Sequence, residues 1–137
     1  MQREVMDILK RRGIQPSAQR VAVAEHVLFT DRHPSAEEVF SAVREGFPML
    51  SRATVYNTLN LFVSKGLLRA LALAEGRVVF DPNISRHHHF IDERDGRVFD
   101  VPWEALDVGR VEKLKGFRVR DYQVVMRGRK SGSSRPR

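Results

Sequence analysis

S-R-A-T-V-Y-N-T-L-N-L-F-V-S-K-G, Ser51 to Gly66, contains every signal of a single helix. Ser51 is an N-cap whose hydroxyl can accept a free backbone N–H of the first turn. Val55, Leu59 and Phe62, with Val63 alongside, recur at the i, i+4, i+7 and i+8 spacing of one apolar face. Gly66 suits the left-handed position that closes a helix. The opposite face carries Arg52, Tyr56 and Asn60, one turn apart, with Asn57 beside them. A cation, a phenol and amides are the groups that reach phosphates and base edges.

Working outward, three more helices precede this one. Val5, Ile8 and Leu9 recur at helical spacing before Gly13. Ser17 caps a second helix with Val21, Ala24, Val27 and Leu28 on one side. Ser35-Ala36-Glu37-Glu38 reads as a capping box ahead of Val39, Phe40 and Val43. After Gly66 come two β-like runs, Leu67 to Ala74 and Arg77 to Phe80, around a Glu75-Gly76 turn. Helices followed by a hairpin are the order of a winged helix-turn-helix. The competing reading is a small helical core that never touches DNA, with Arg52, Tyr56 and Asn60 as a solvated face. The net charge of +7, from 24 basic and 17 acidic side chains, favours a polyanion as partner.

Length and composition bound the rest. The 137 residues suffice for one domain or two small ones. No apolar run is long enough to span a bilayer, and the start lacks a signal peptide's apolar stretch, so a cytoplasmic protein without a membrane partner is expected. The chain has no cysteine, which excludes disulfides and thiolate ligands. Any metal must sit on nitrogen and oxygen donors, which suits iron, manganese, nickel or zinc.

Such donors concentrate in S-R-H-H-H-F-I-D-E-R-D-G-R-V-F-D, Ser85 to Asp100. Asp95-Gly96 is a turn signal, and a four-residue loop pairs Asp92 with Arg97 and His89 with Asp100. A two-residue loop would pair Ile91 with Asp100 instead. In both registers His87, His89 and Asp100 share a face while His88 points the other way. Two imidazoles and a carboxylate on one face form the nucleus of a metal site, although a solvated polar hairpin has the same pattern. Beyond it we expect a helix-like stretch around Trp103 to Leu114. An alternating run follows, Phe117 to Met126, and then a basic tail.

These segments together resemble the ferric uptake regulator family of bacterial metal-dependent repressors. The resemblance rests on G-I-Q-P-S-A-Q-R (Gly13–Arg20), R-H-P-S-A-E-E-V (Arg32–Val39), S-R-A-T-V-Y-N-T-L (Ser51–Leu59), K-G-L-L (Lys65–Leu68), F-D (Phe80–Asp81) and the three-histidine block. It implies an α+β fold: a winged-helix DNA-binding domain over residues 1–81, then a small α/β dimerisation domain over 82–130, then a basic mobile tail over 131–137. It implies one regulatory Fe(II) or Mn(II) per subunit on His33, Asp81, His87, His89 and Asp100, with Zn(II) able to bind in vitro. His26 and His88 fall outside that ligand pattern. The DNA-contacting set is Arg20, Arg52, Thr54, Tyr56, Asn57, Asn60 and Arg77, and the partners are an operator duplex and a second copy of the chain. Aspartates at 81 and 100 look like the peroxide-sensing branch, in which His33 or His87 would be the oxidised residue. Asp92 and Asp95 stand where many relatives carry the first of two Cys-x-x-Cys pairs, so a four-cysteine zinc site is impossible.

Three rival functions follow from the same residues. One is a metal-uptake regulator of the same fold, responding to iron, manganese, zinc or nickel without oxidation chemistry. Another is a metallohydrolase whose His/Asp cluster activates water. Against the hydrolase, five ligands leave little room for water and substrate, and no candidate base stands apart from them, so a non-enzyme is expected. The third is a metal-free nucleic-acid-binding module.

Overall fold

The computed structural model describes residues 1–132; the tail expected over 131–137 therefore lies mostly outside the described residues. The chain divides into two compact units, Met1–Ile84 and a second beginning at Ser85. Among the described residues no helix is long and apolar enough to cross a membrane.

The first unit contains α1 (Gln2–Arg11), α2 (Ala18–Val27), α3 (Ala36–Val43) and α4 (Arg52–Ser64), then β1 (Arg69–Ala72) and β2 (Val78–Asp81). Serine hydroxyls set three helix starts: Ser17 accepts from Arg20 N–H, Ser35 from Glu38 N–H and Ser51 from Thr54 N–H. The Glu38 carboxylate returns to the Ser35 N–H at 2.8 Å, completing the capping box. Val5, Leu9, Val23, Val27, Val55, Leu59 and Phe62 are fully buried in one core. Burying a side chain such as Leu59 or Phe62 contributes about 1.5–3 kcal/mol. At the end of α4, Gly66 sits at φ +78°, and a Cβ there would lie 2.9 Å from Arg12 Nη1. That guanidinium donates to the Lys65 and Gly66 carbonyl oxygens at 3.0 and 3.3 Å, tying α1 to the C-terminus of α4. β1 and β2 pair antiparallel, from Arg69 opposite Asp81 to Ala72 opposite Val78. Both strands are shorter than the β-like runs of the sequence. Helices packed on one core, followed by this hairpin, make a winged helix.

The second unit is a three-stranded sheet in the order β4-β3-β5. β3 (His87–Asp92) pairs antiparallel with β4 (Val98–Pro102), and β5 (Val125–Gly128) runs parallel to β3. The turn between β3 and β4 has the four-residue form. Asp92 N–H donates to Arg97 O at 2.9 Å and Gly96 N–H to Asp92 O at 2.7 Å. The Asp92 carboxylate, 2% exposed, accepts from Arg94 N–H at 2.9 Å and faces Arg94 Nε at 3.6 Å. The Arg94 N–H is the main reason its carboxyl is held below the ordinary carboxylate range, and the Lys130 N–H acts in the same sense. Glu93 N–H also reaches Gly128 O at 2.8 Å. The buried Asp92 carboxylate thus joins the turn to the chain beyond β5.

Two expectations fail in this unit. The stretch from Trp103 to Leu114 forms no α-helix, only 3-10 turns at Trp103–Ala105 and Val111–Lys113. Gly109 lies between them, and Arg110 takes a left-handed φ of 67°, a conformation no α-helix continues through. The alternating run also yields less strand than its pattern suggests. Only Val125–Gly128 forms a strand, and Phe117 stands 73% exposed.

Candidate metal centre and nucleic-acid face

In the first unit the turn before α3 is stitched to the second wing strand. Phe80 N–H donates to Pro34 O at 2.9 Å, and Ser35 bridges Val79. This fastening brings His33 Nε2 to 3.1 Å from Asp81 Oδ2, both residues being buried. Asn83 N–H donates to Asp81 Oδ1 at 2.9 Å and orients the carboxylate. His33 itself holds φ 51°, a left-handed conformation that a non-glycine residue keeps only when its surroundings impose it.

In the second unit His89 pairs with Asp100 across β3 and β4, the register expected from the Asp95-Gly96 turn. His87 Nε2 lies 3.3 Å and His89 Nε2 3.5 Å from Asp100 Oδ1, and both imidazoles are 3% exposed. Their other nitrogens are committed. His87 Nδ1 meets the Ser85 carbonyl oxygen, and His89 Nδ1 meets Gln123 Oε1 at 2.8 Å. An oxygen acceptor requires Nδ1 to carry the proton, so in the neutral ring the Nε2 lone pair faces Asp100. Two nitrogen lone pairs set against a carboxylate need positive charge among them, supplied by protons or by a cation. This is the outer-shell arrangement that prepares histidines for metal ligation. The donors are nitrogen and oxygen only, a set that fits Fe(II), Mn(II) or Zn(II).

His88 behaves otherwise. It is 1% exposed, stacks on Trp103 with ring centroids 4.6 Å apart, and its Nδ1 accepts from Val124 N–H at 3.0 Å. His26 is exposed on α2. Sequence reading missed Gln123 and the Ser85 carbonyl. Gln123 was visible only as one of several polar residues in the alternating run before β5, and a backbone carbonyl leaves no mark in a sequence.

The expected DNA-contacting residues fall into two surface hollows of the first unit. Arg20, Thr54 and Asn57 line one with Gln15 and Ser17. Tyr56, Asn60 and the wing residue Arg77 line the other with Glu37 and Phe80. Arg52 lines neither, but it is bonded to Glu37 of the second. Its Nε donates to Glu37 Oε2 at 2.8 Å, which is the main reason its guanidinium is held above its ordinary pKa, and its charge rests 4.7 Å over the Phe40 ring.

A winged helix followed by a small sheet bearing paired imidazole and carboxylate donors defines the class of metal-responsive winged-helix proteins. The chain belongs to the ferric uptake regulator family, whose sequence model matches residues 11–127. It is 33% identical to the peroxide operon regulator of Bacillus subtilis (strain 168), over 92% of this chain and 88% of that protein. The peroxide-responsive repressor PerR of Staphylococcus epidermidis is likewise 33% identical, over 85% of this chain and 75% of its own. Among solved structures, the iron-containing ferric uptake regulator of Francisella tularensis superposes with a TM-score of 0.70 at 26% identity, covering 87% of this chain and 93% of its own. Having no cysteine, this member cannot build a four-cysteine zinc site.

Proposed function

We propose that the protein is a metal-dependent transcriptional repressor that binds an operator duplex as a homodimer and senses peroxide. One observation carries the reading: His87 and His89 both have Nδ1 committed to an oxygen acceptor and Nε2 turned to Asp100. His33 and Asp81 would complete the set, giving three nitrogen and two oxygen donors for one Fe(II) or Mn(II) per subunit. Five donors are one short of an octahedral shell. When bound, a ferrous ion supplies the electrons that cleave the O–O bond of peroxide, which Mn(II) supplies far more slowly.

The chain's own residues account for the response. Asp100 is held opposite His89 on a paired strand, and its side chain, one methylene shorter than glutamate's, would offer the metal a single oxygen. Peroxide would transfer one oxygen atom to a ring carbon of His33 or His87, breaking its O–O bond and releasing water. The oxidised ring would be a poorer nitrogen donor, so the set would hold metal less tightly and the operator would be released. An ion held jointly by His33 of the winged helix and His87 of the sheet would couple its own occupancy to the placement of α4. A second copy of the chain would bury the exposed Leu114 and Phe117 together with half-buried Val124, Val125 and Met126. A repressor of this kind works beside the chromosome, in the cytoplasm.

The uptake-regulator reading is supported by the iron-containing structural relative. Operator binding measured with Fe(II) and with Mn(II), before and after peroxide, separates the two. A sensor loses binding only in the iron form; an uptake regulator keeps it in both.

A further inference from the structure

The first residue of α4 is a cation, and its first turn contains no acid. That is the reverse of what a helix N-terminus prefers, since the exposed N–H groups there favour negative charge. Arg52 therefore does not owe its place to helix stability. Two contacts hold it, the Nε hydrogen bond to Glu37 at 2.8 Å and the ring of Phe40 beneath its guanidinium at 4.7 Å. The pair is exposed, 63% for Arg52 and 52% for Glu37. An exposed pair of this kind adds little to folding stability. Glu37 also lines the hollow that contains Tyr56, Asn60 and Arg77. A carboxylate in a groove that faces DNA opposes phosphate and calls for an explanation. The first unit makes it more conspicuous, because its 11 basic and nine acidic side chains leave it little positive charge to spare.

We propose that Glu37 is a positioning residue that sets DNA specificity through Arg52. Engaging Nε fixes the guanidinium plane and leaves the N–H groups of both terminal nitrogens for one directed contact with a base edge or phosphate. The same engagement keeps Arg52 from swinging to whichever phosphate is nearest, which would add affinity for every sequence alike. Glu37 thus exchanges general affinity for discrimination. This rests on the DNA-binding reading above.

The test uses the full-length, Mn(II)-loaded protein and two duplexes of equal length: one selected by the wild type from a randomised pool, the other its scrambled version. Glu37→Gln should tighten binding to the scrambled duplex by about 3- to 10-fold and steepen its log–log salt dependence by about one phosphate contact. The ratio of selected to scrambled affinity should fall by a similar factor. In an Arg52→Ala background the same substitution should move neither quantity, because its effect passes through Arg52. A wild type that discriminates, beside a Glu37→Gln protein with unchanged ratio and salt slope, overturns the positioning role alone. An equal effect of Glu37→Gln with and without Arg52 also overturns it, since Glu37 would then act by its own charge. A wild type that binds neither duplex overturns the DNA-binding reading and this inference with it.

Discussion

His89 stands directly opposite Asp100 across two antiparallel strands, with Nε2 3.5 Å from the carboxylate and Nδ1 bonded to Gln123. The residue that orients His89 is thus as open to test as the ligand itself. His89→Ala should lower Mn(II) affinity by at least about tenfold, and Gln123→Leu by about tenfold, the usual effect of losing an outer-shell partner. Trp103, the sole tryptophan of the sequence, stacks on the intervening His88 and provides a fluorescence signal for the titration. Affinity should also fall on acidification, because protons compete for the same lone pairs. Equal affinities for the Gln123 variant and the wild type would show that His89 needs no such support.

On the DNA side, Tyr56→Ala should weaken binding to a selected duplex by about 1–3 kcal/mol and broaden the sequences tolerated at one position. Arg77→Ala should weaken binding to all duplexes alike and reduce the salt slope by about one. Dissociation constants measured across a salt series distinguish these effects. If neither variant departs from the wild type, the hollow between α4 and the wing is not where DNA sits.

Asp92 ties the β3–β4 turn down with hydrogen bonds, so in the metal-free protein Asp92→Asn should lower the thermal unfolding midpoint. The folded carboxyl is held below the unfolded value of about 3.9. Its stabilisation is therefore complete above that value and is lost as pH falls through the lower, folded one. Urea midpoints should drop below about pH 4 in the wild type, and that part of the dependence should be absent from Asp92→Asn. A wild-type profile identical to the variant's would remove Asp92 from this role.

The half of the chain that local chemistry dictates was the half legible in the sequence. Ser17, Ser35, Ser51 and Gly66 mark helix ends through their own hydrogen bonds or backbone freedom, and the structure puts the ends there. The register of His89 with Asp100 followed from one turn and the alternation of a strand. What failed depends on tertiary partners. The stretch around Trp103 to Leu114 reads as helix-like, but Gly109 and left-handed Arg110 interrupt it. Residues 117–124 alternate without forming a strand, since alternation cannot reveal whether a neighbouring strand exists. The net charge also misled in detail. Of the +7, only two units belong to Met1–Ile84, and five follow Ser85. The case for DNA therefore rests on the face of α4 rather than on bulk charge.

Asp100→Glu probes the reach of the last carboxylate. The added methylene lets two oxygens engage the metal and fill the sixth position, so peroxide sensitivity should fall while metal-dependent DNA binding persists. Inactivation rates of the two proteins at equal peroxide concentration make the comparison. A glutamate variant as sensitive as the wild type would mean that side-chain length at this position does not control access.

The central claim is tested most directly by following the Fe(II)- and Mn(II)-loaded proteins through the same brief peroxide exposure, measuring duplex binding and the masses of peptides containing His33 and His87. The account predicts that the iron form loses DNA binding and gains one oxygen atom on one of these histidines, while the manganese form keeps its binding with both unmodified. Retained binding and unmodified histidines in the iron form would contradict peroxide sensing and leave a metal-uptake regulator of the same fold.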